Sequence, residues 1–378
     1  NMAFADPVRV EAPAPADFSA VVESVKPAVV SVQVKNKVRP VADRGDRRDR
    51  RGRGFRDLPE DHPFNDFFRR YGERRGGPDG RNNPRRPRRA ISQGSGFFIS
   101  DDGYIVTNNH VIDRGDELVV VTDDGRELDA ELIGRDRRTD LALLKVDGDD
   151  FTYVAFADEK PKIGQWVVAV GNPFGLGGTV TAGIVSANGR DIGSGPYDDF
   201  IQIDAPVNRG NSGGPTFNTN GEVIGVNTAI FSPSGGNVGI AFAIPAATVK
   251  DVVAELQQDG SVTRGWLGVQ IQPVTKDIAE SLQIESTDGA LVSDPQEDGP
   301  ALGAGIEAGD IITKVDGKPV SGPRELARRI AGYEPGDEVA ITIVRDGEEQ
   351  VIDVTLGKLE NQARAVTEDE DSPAEPTS

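Results

Sequence analysis

The sequence holds no cysteine, one methionine and two histidines, His62 and His110. The lack of cysteine excludes disulfide scaffolds, thiol nucleophiles and zinc fingers, and two histidines cannot build a site of several imidazoles. Any chemistry must manage with few ligands, so neither a metal nor a cofactor is expected. No uninterrupted apolar run approaches the ~18 residues of a membrane-spanning helix, and no basic segment followed by an apolar one opens the chain. A soluble chain without a signal peptide is the expectation. A net charge of −20 disfavours recognition of nucleic acid through its phosphates.

What is present is a chain of 378 residues, long enough for two or three folded units at about 150 residues each. Its charge is uneven. Between Arg39 and Arg89, 17 arginines stand against 9 Asp or Glu, so one basic stretch opposes an acidic whole. Rich in Gly, Pro and Arg, it carries one aromatic island in which Phe64, Phe67, Phe68 and Tyr71 recur at one-face helical spacing. It reads as an insertion, residues 36–92, around a short amphipathic helix. Residues 361–378 are Asp, Glu, Pro, Ser and Thr with almost nothing apolar, a composition that cannot offset its ordering entropy. They read as a disordered acidic tail or linker.

On either side of the insertion the chain reads as many short strands: Val29–Val34, Gly96–Ile99, Tyr104–Val106, Leu118–Val121, Leu141–Val146, Trp166–Val170, Val180–Val185, Phe200–Ile203, Val223–Val226 and Ile240–Ile244. Asp-Gly and Asn-Gly pairs at 102–103, 124–125, 147–148 and 220–221 punctuate them as turns. This spacing predicts an antiparallel sandwich or barrel. From Pro245 the period lengthens, with Val249, Val252, Val253 and Leu256 on one helical face and Gly260 as a stop. A first domain, 21–258 after an N-terminal segment 1–20, is therefore expected to end near residue 259. A second compact unit fills 259–360, with five further strands and helices at Lys276–Leu282 and Pro323–Ile330.

Chemistry points to Gly210-Asn211-Ser212-Gly213-Gly214-Pro215. A nucleophilic serine needs an exposed hydroxyl on a tight turn and backbone N–H groups to meet the oxyanion, and flanking glycines allow both. The same letters fit the nucleophile elbow of α/β-hydrolases, where the histidine follows the serine. Here no histidine lies downstream of Ser212, whereas His–Asp–Ser is the order of chymotrypsin-like barrels. The base is His62 or His110. His62 sits in the arginine-rich insertion with little to orient it, while His110 ends a strand-like run that can hold the ring to the tolerance of proton transfer. Asp140, before the apolar run Leu141–Leu144, fits the buried carboxylate that fixes the tautomer.

With Gly94-Ser-Gly96, Thr107-Asn-Asn-His110-Val, Asp140-Leu-Ala-Leu, Gly171-Asn-Pro-Phe-Gly175 and Asn208–Pro215 in place, the chain resembles the HtrA/Deg family of serine proteases, of the DegP-like type. That resemblance implies a mainly β fold, a chymotrypsin-like double β-barrel followed by a PDZ domain. It makes His110 the general base, Asp140 its orienting carboxylate and Ser212 the nucleophile, with the N–H groups of Gly210 and Ser212 forming the oxyanion hole across Asn211. A specificity pocket would be walled by Val207 and by Asn227, Thr228, Ala229 and Ile230. Lacking a carboxylate, it is expected to take Val, Ile, Ala or a similar small aliphatic side chain.

Arg264-Gly265-Trp266-Leu267-Gly268-Val269, with Gly299–Ile306 and Ala308–Ile312, resembles a PDZ domain. Such a groove adds an extended C-terminal peptide to a sheet edge and captures its carboxylate on backbone N–H groups; Trp266–Gly268 would be the carboxylate loop. The resemblance further implies a homotrimer able to build hexamers or larger cages, a regulatory role for residues 36–92, and activation loops at 172–178, 189–197 and 231–237. Arg190 would relay groove occupancy to the oxyanion hole. The implied setting is the bacterial periplasm, with unfolded proteins as substrates and at most weak association with a membrane surface. The alternative is a holdase or peptide-binding scaffold with a latent triad.

Overall fold

The computed structural model describes residues 17–35, 91–113, 117–173, 178–208, 210–232, 236–281, 284 and 286–359. Residues 1–16, His62, the aromatic island, nearly all of the insertion and the acidic tail lie outside the described residues.

Twelve strands form two closed six-stranded barrels. The first runs β1 (Val29–Lys35), β2 (Ile91–Phe98), β3 (Tyr104–Asn108), β6 (Leu141–Val146), β5 (Glu127–Asp136) and β4 (Glu117–Val121), and closes where Ser31–Lys35 of β1 pair antiparallel with β4. The second orders β10 (Pro215–Phe217), β11 (Val223–Ile230), β12 (Ala241–Pro245), β9 (Phe200–Ile203), β8 (Thr179–Arg190) and β7 (Trp166–Gly171), and closes through Thr216 and Phe217 against β7. Two of these strands were not legible beforehand. β5 alternates acidic with apolar residues and is mostly exposed over its first six, and β10 has only three residues.

Strand periodicity explains how two barrels become one body. Alternate side chains point into a barrel or out toward its neighbour. Phe98, Ile105 and Leu144 fill the first barrel, and Val167, Ala169 and Ile203 the second. Their strand neighbours Phe97, Val106, Leu143, Val168 and Val170 form a third cluster in the seam between the barrels, joined there by Phe217 and Val226. Strands buried on both faces read as continuous apolar runs. Each fully buried aliphatic or aromatic side chain contributes roughly 1.5–3 kcal/mol, so the seam is held as firmly as either interior.

The helix Ala246–Asp259 adds Val249, Val252, Val253 and Leu256 to the seam cluster and ends at Gly260, whose φ of +68° provides the left-handed cap. Beyond it, β14 (Val269–Pro273), β15 (Ala290–Pro295), β16 (Ile311–Val315), β18 (Glu338–Arg345) and β19 (Glu348–Thr355) form one antiparallel sheet, with β17 (Lys318–Pro319) pairing β16. A separate two-stranded piece joins β13 (Gly265–Trp266) to β20 (Gly357–Lys358). The helix Pro323–Ala331 buries Leu326 and Ile330 in this unit's own core. β14 is an edge strand of the sheet. Among the described residues no helix is long and apolar enough to cross a membrane.

The second unit touches both barrels. Arg264, almost fully buried, donates from Nη1 (3.1 Å) and Nη2 (2.5 Å) to the two carboxylate oxygens of Asp136 at the end of β5. Its guanidinium also lies 5.0 Å from the ring centroid of Tyr197. From the helix Pro323–Ala331, Arg328 donates to the Asp198 carbonyl at 2.7 Å and lies 3.4 Å from the Asp199 carboxylate, and Arg324 pairs with Asp191.

Candidate active site

His110 follows β3 in the short helical turn Asn109–Ile112. Asp140 sits one residue before β6, fully buried, with φ at +59°. A left-handed backbone at a residue other than glycine costs about 1–3 kcal/mol and persists only where the surroundings hold it. Here the Asp136 carboxylate does so, accepting the N–H groups of Arg138 and Thr139 and the Thr139 hydroxyl. Burial alone would raise the Asp136 carboxyl. The Arg264 hydrogen bonds and charge, with those of Thr139 and Arg138, outweigh it and hold the group below the usual carboxylate range.

The Asp140 carboxylate accepts three hydrogen bonds. The His110 N–H reaches Oδ1 at 2.9 Å, His110 Nδ1 lies 2.6 Å from Oδ2, and the Thr228 hydroxyl donates to Oδ2 at 2.7 Å. The Asp140 carbonyl accepts the Asn109 N–H and the Asn108 side-chain amide. An ionised carboxylate only accepts, so this contact suits the tautomer that carries the proton on Nδ1. Thr228 belongs to β11 of the second barrel. The carboxylate in one barrel is therefore tied to the other.

Ser212 lies in the turn before β10, buried, and its hydroxyl makes no hydrogen bond among the described residues. The surrounding backbone is selectively engaged. The N–H groups of Asn211, Gly213 and Gly214 donate to the carbonyls of Asn208 (3.0 Å), Asn227 (2.8 Å) and Asn211 (3.0 Å). Those of Gly210 and Ser212 donate to nothing among the described residues. Two backbone donors are thereby left over in the one turn that carries the serine. Gly210 has φ at +97°, and a Cβ there would meet Pro173 Cβ at 2.5 Å, so the position admits only glycine.

The five residues expected around a specificity pocket are all buried, and their side chains are engaged. Val207 and Ile230 belong to the core of the second barrel and Ala229 to the seam. Asn227 accepts the Thr216 hydroxyl at 2.7 Å and donates to the Gly214 carbonyl at 3.0 Å, while Thr228 holds Asp140. The contact of Thr228 with Asp140 escaped the sequence reading because it joins residues 88 apart.

In the second unit, Leu267 is buried in the core, Gly268 has φ at +77°, and Trp266 pairs with Gly357. The N–H groups of Leu267 and Gly268 donate to nothing among the described residues, whereas their carbonyls accept from Ala301 and Gln296. Val269 begins the edge strand β14. The structure places the Arg264 guanidinium on Asp136. Arg190 donates from Nε to the Gln202 side chain at 2.8 Å. The contacts to the helix Pro323–Ala331 come instead from Asp191, Asp198 and Asp199 of the same loop.

Family models agree with this division: one described as a trypsin-like peptidase domain matches residues 94–226, and one described as a PDZ domain matches residues 265–356. The chain is 59% identical over 376 residues to a probable periplasmic serine endoprotease DegP-like of Rhizobium meliloti (strain 1021), covering 96% of this chain and 73% of the relative. It is 58% identical over 374 residues to the protein of that name from Brucella suis biovar 1, covering 96% and 72%. Among solved structures, the HtrA-type protease AlgW with a decapeptide superposes with a TM-score of 0.72 at 35% identity, over 91% of this chain and 99% of that one. A serine endoprotease from Yersinia pestis gives 0.62 at 33%, over 92% and 100%. The two barrels, the turn that presents Ser212 and these likenesses converge: the chain belongs to the HtrA-type, DegP-like serine endoproteases.

Proposed function

We propose that Ser212 is the nucleophile, His110 the general base and Asp140 the carboxylate that orients it, with the Gly210 and Ser212 N–H groups receiving the oxyanion. The observation that carries this reading is the pairing of an imidazole fixed through Nδ1 with a turn in which the Gly210 and Ser212 N–H groups, either side of Asn211, donate to nothing among the described residues. In the reaction, Ser212 Oγ attacks a peptide carbonyl and passes its proton to His110 Nε2. The collapsing intermediate expels the amine, which takes that proton, and water then hydrolyses the acyl-enzyme with the same base. Asp140 stays ionised throughout and stabilises the imidazolium.

The substrates are unfolded or misfolded proteins cut after small aliphatic residues, since residues 205–208 and 227–230 carry no charged side chain. The groove between β14 and the helix Pro323–Ala331 takes C-terminal peptides, the Leu267 and Gly268 N–H groups receiving the terminal carboxylate. Because that helix is tied to the 189–199 loop, groove occupancy is transmitted toward the barrels. Assembly into trimers and larger cages, and a periplasmic role in protein quality control, complete the proposal; relatives named periplasmic endoproteases support the location.

The test compares casein turnover by the protein and by Ser212→Ala while aggregation of an unfolded client is followed in parallel. Loss of turnover with client binding retained supports the reading. Turnover that survives the substitution removes Ser212 from its role, and a protein that only suppresses aggregation is a holdase.

A further inference from the structure

We propose that Ser95 is the positioning residue of the oxyanion hole; the proposal rests on the reading of Gly210 and Ser212 given above. Ser95 lies in β2 of the first barrel and is wholly inaccessible to solvent, yet both its backbone and its side chain act on the turn of the second barrel. Its N–H donates to the Ser212 carbonyl at 2.8 Å. Its hydroxyl donates to the Gly210 carbonyl at 2.5 Å. The same oxygen accepts the Asn172 N–H at 2.8 Å, and the Ser95 carbonyl accepts the Thr107 hydroxyl at 2.7 Å. Every hydrogen-bonding group of this serine is thus committed.

The consequence appears when the peptide planes of the turn are taken in order. The plane joining Gly210 to Asn211 is held at both ends, its carbonyl by the Ser95 hydroxyl and its N–H by the Asn208 carbonyl. The plane joining Ser212 to Gly213 is likewise held, by the Ser95 N–H and the Asn227 carbonyl. Between them the Asn211 carbonyl accepts the Gly214 N–H. What remains uncommitted among the described residues is the pair of N–H groups that the chemistry requires. Preorganised donors stabilise developing charge without reorganising when the reaction occurs. A single hydroxyl here fixes the plane that follows the Gly210 donor, where glycine brings no side chain of its own to restrain the backbone.

Ser95 also joins a third segment to the turn. Through Asn172 it is tied to the stretch Gly171–Pro173, which meets the turn directly as well. Pro173 packs against Gly210, and a Cβ on Gly171 would collide with the Asn211 side-chain oxygen. A shift of residues 171–173 is therefore felt at the Gly210 carbonyl by two routes, one of them the Ser95 hydroxyl. No step of acyl transfer touches Ser95, so its effect is on the placement of the Gly210 N–H.

The experiment compares hydrolysis of a peptide ester with that of its thiono analogue, in which sulfur replaces the carbonyl oxygen and accepts hydrogen bonds poorly. The ratio of the two kcat values reads the oxyanion hole alone and cancels any loss of folded enzyme. In the unaltered protein the ester is favoured by at least about a hundredfold, the worth of one oxyanion donor. A ratio near one there overturns the oxyanion reading itself. In Ser95→Ala the ratio falls at least about tenfold and kcat for the ester falls by a similar factor, with KM within about twofold. An unchanged ratio in Ser95→Ala, with a large ratio in the parent, overturns the role of Ser95 and leaves the oxyanion hole standing. Where Ser95→Ala yields too little protein, Ser95→Cys keeps the bulk and weakens the donor. A lowered ratio there supports the proposal, and the parent's ratio overturns it.

Discussion

The two halves of the candidate catalytic centre are built to different tolerances. On the first-barrel side, the Asp140 carboxylate accepts three hydrogen bonds and its carbonyl two, and the turn behind it is tied down by Asp136. On the second-barrel side, the Ser212 hydroxyl makes no hydrogen bond among the described residues. The side chain of nearby Asn172, also buried, makes none there either. Buried polar groups are ordinarily satisfied. The contrast teaches that the carboxylate proposed to orient the base is held by several hydrogen bonds, while the hydroxyl proposed as nucleophile is held by none among the described residues.

The largest expected effect tests whether the serine side carries the chemistry at all. Ser212→Ala should lower kcat for a peptide substrate by at least about 10⁴-fold while leaving the thermal unfolding midpoint nearly unchanged. Next, Asp140→Asn should cost about 10⁴-fold, because an amide donating toward Nδ1 stabilises the wrong tautomer. A loss no greater than tenfold would show that the base side is less determined than its geometry implies.

A smaller effect sharpens the comparison where the barrels meet. Thr228→Val keeps the shape and deletes one hydrogen bond to a charged carboxylate, worth about 1.5–3 kcal/mol, so kcat should fall roughly ten- to a hundredfold with substrate preference retained. If the ratio of turnover after Val to turnover after Leu shifts instead, Thr228 serves the pocket and not Asp140. Smaller still for catalysis, Arg264→Met strands the Asp136 carboxylate and should cost about 3 kcal/mol of stability, read by denaturant unfolding.

The same pair has a pH signature. Asp136 is held below its unfolded value, so its contribution is complete above about pH 4, the ordinary carboxylate value, and is lost as pH falls through the lower folded value. Thermal unfolding measured down the pH scale should show the difference between the protein and Asp136→Asn shrinking only below about pH 4. A difference that fades between pH 7 and 5 would mean the carboxyl is not held down. Least affected should be Arg324→Ala, whose half-exposed pair with Asp191 contributes at most about 1 kcal/mol.

Legibility in the sequence followed locality. The apolar strands, the closing helix and its glycine stop were visible because each is a short-range pattern, whereas β5 hid behind Glu127, Asp129 and Glu131, which leave one face of the strand to solvent. The candidate catalytic residues sit in short, dense motifs and could be singled out by type and order. Residues whose contacts join distant parts of the chain could not. Thr228 looks like any β-branched strand residue, Ser95 like a small residue between two glycines, and Arg264 like the head of a peptide-binding stretch; their partners are 88, 115 and 128 positions away. Such contacts exist only once the barrels and the second unit have come together.

The hydrogen bond from Thr228 to Asp140 carries one more consequence. On the roles proposed above, neither barrel owns a finished catalytic centre, since the carboxylate and the imidazole belong to one and the serine and a donor to the carboxylate belong to the other. Were the connecting segment between Val146 and Trp166 severed, each fragment alone would be inert. Hydrolysis would return only when the pieces found one another, making this enzyme a candidate for split-protein complementation with proteolysis itself as the reporter.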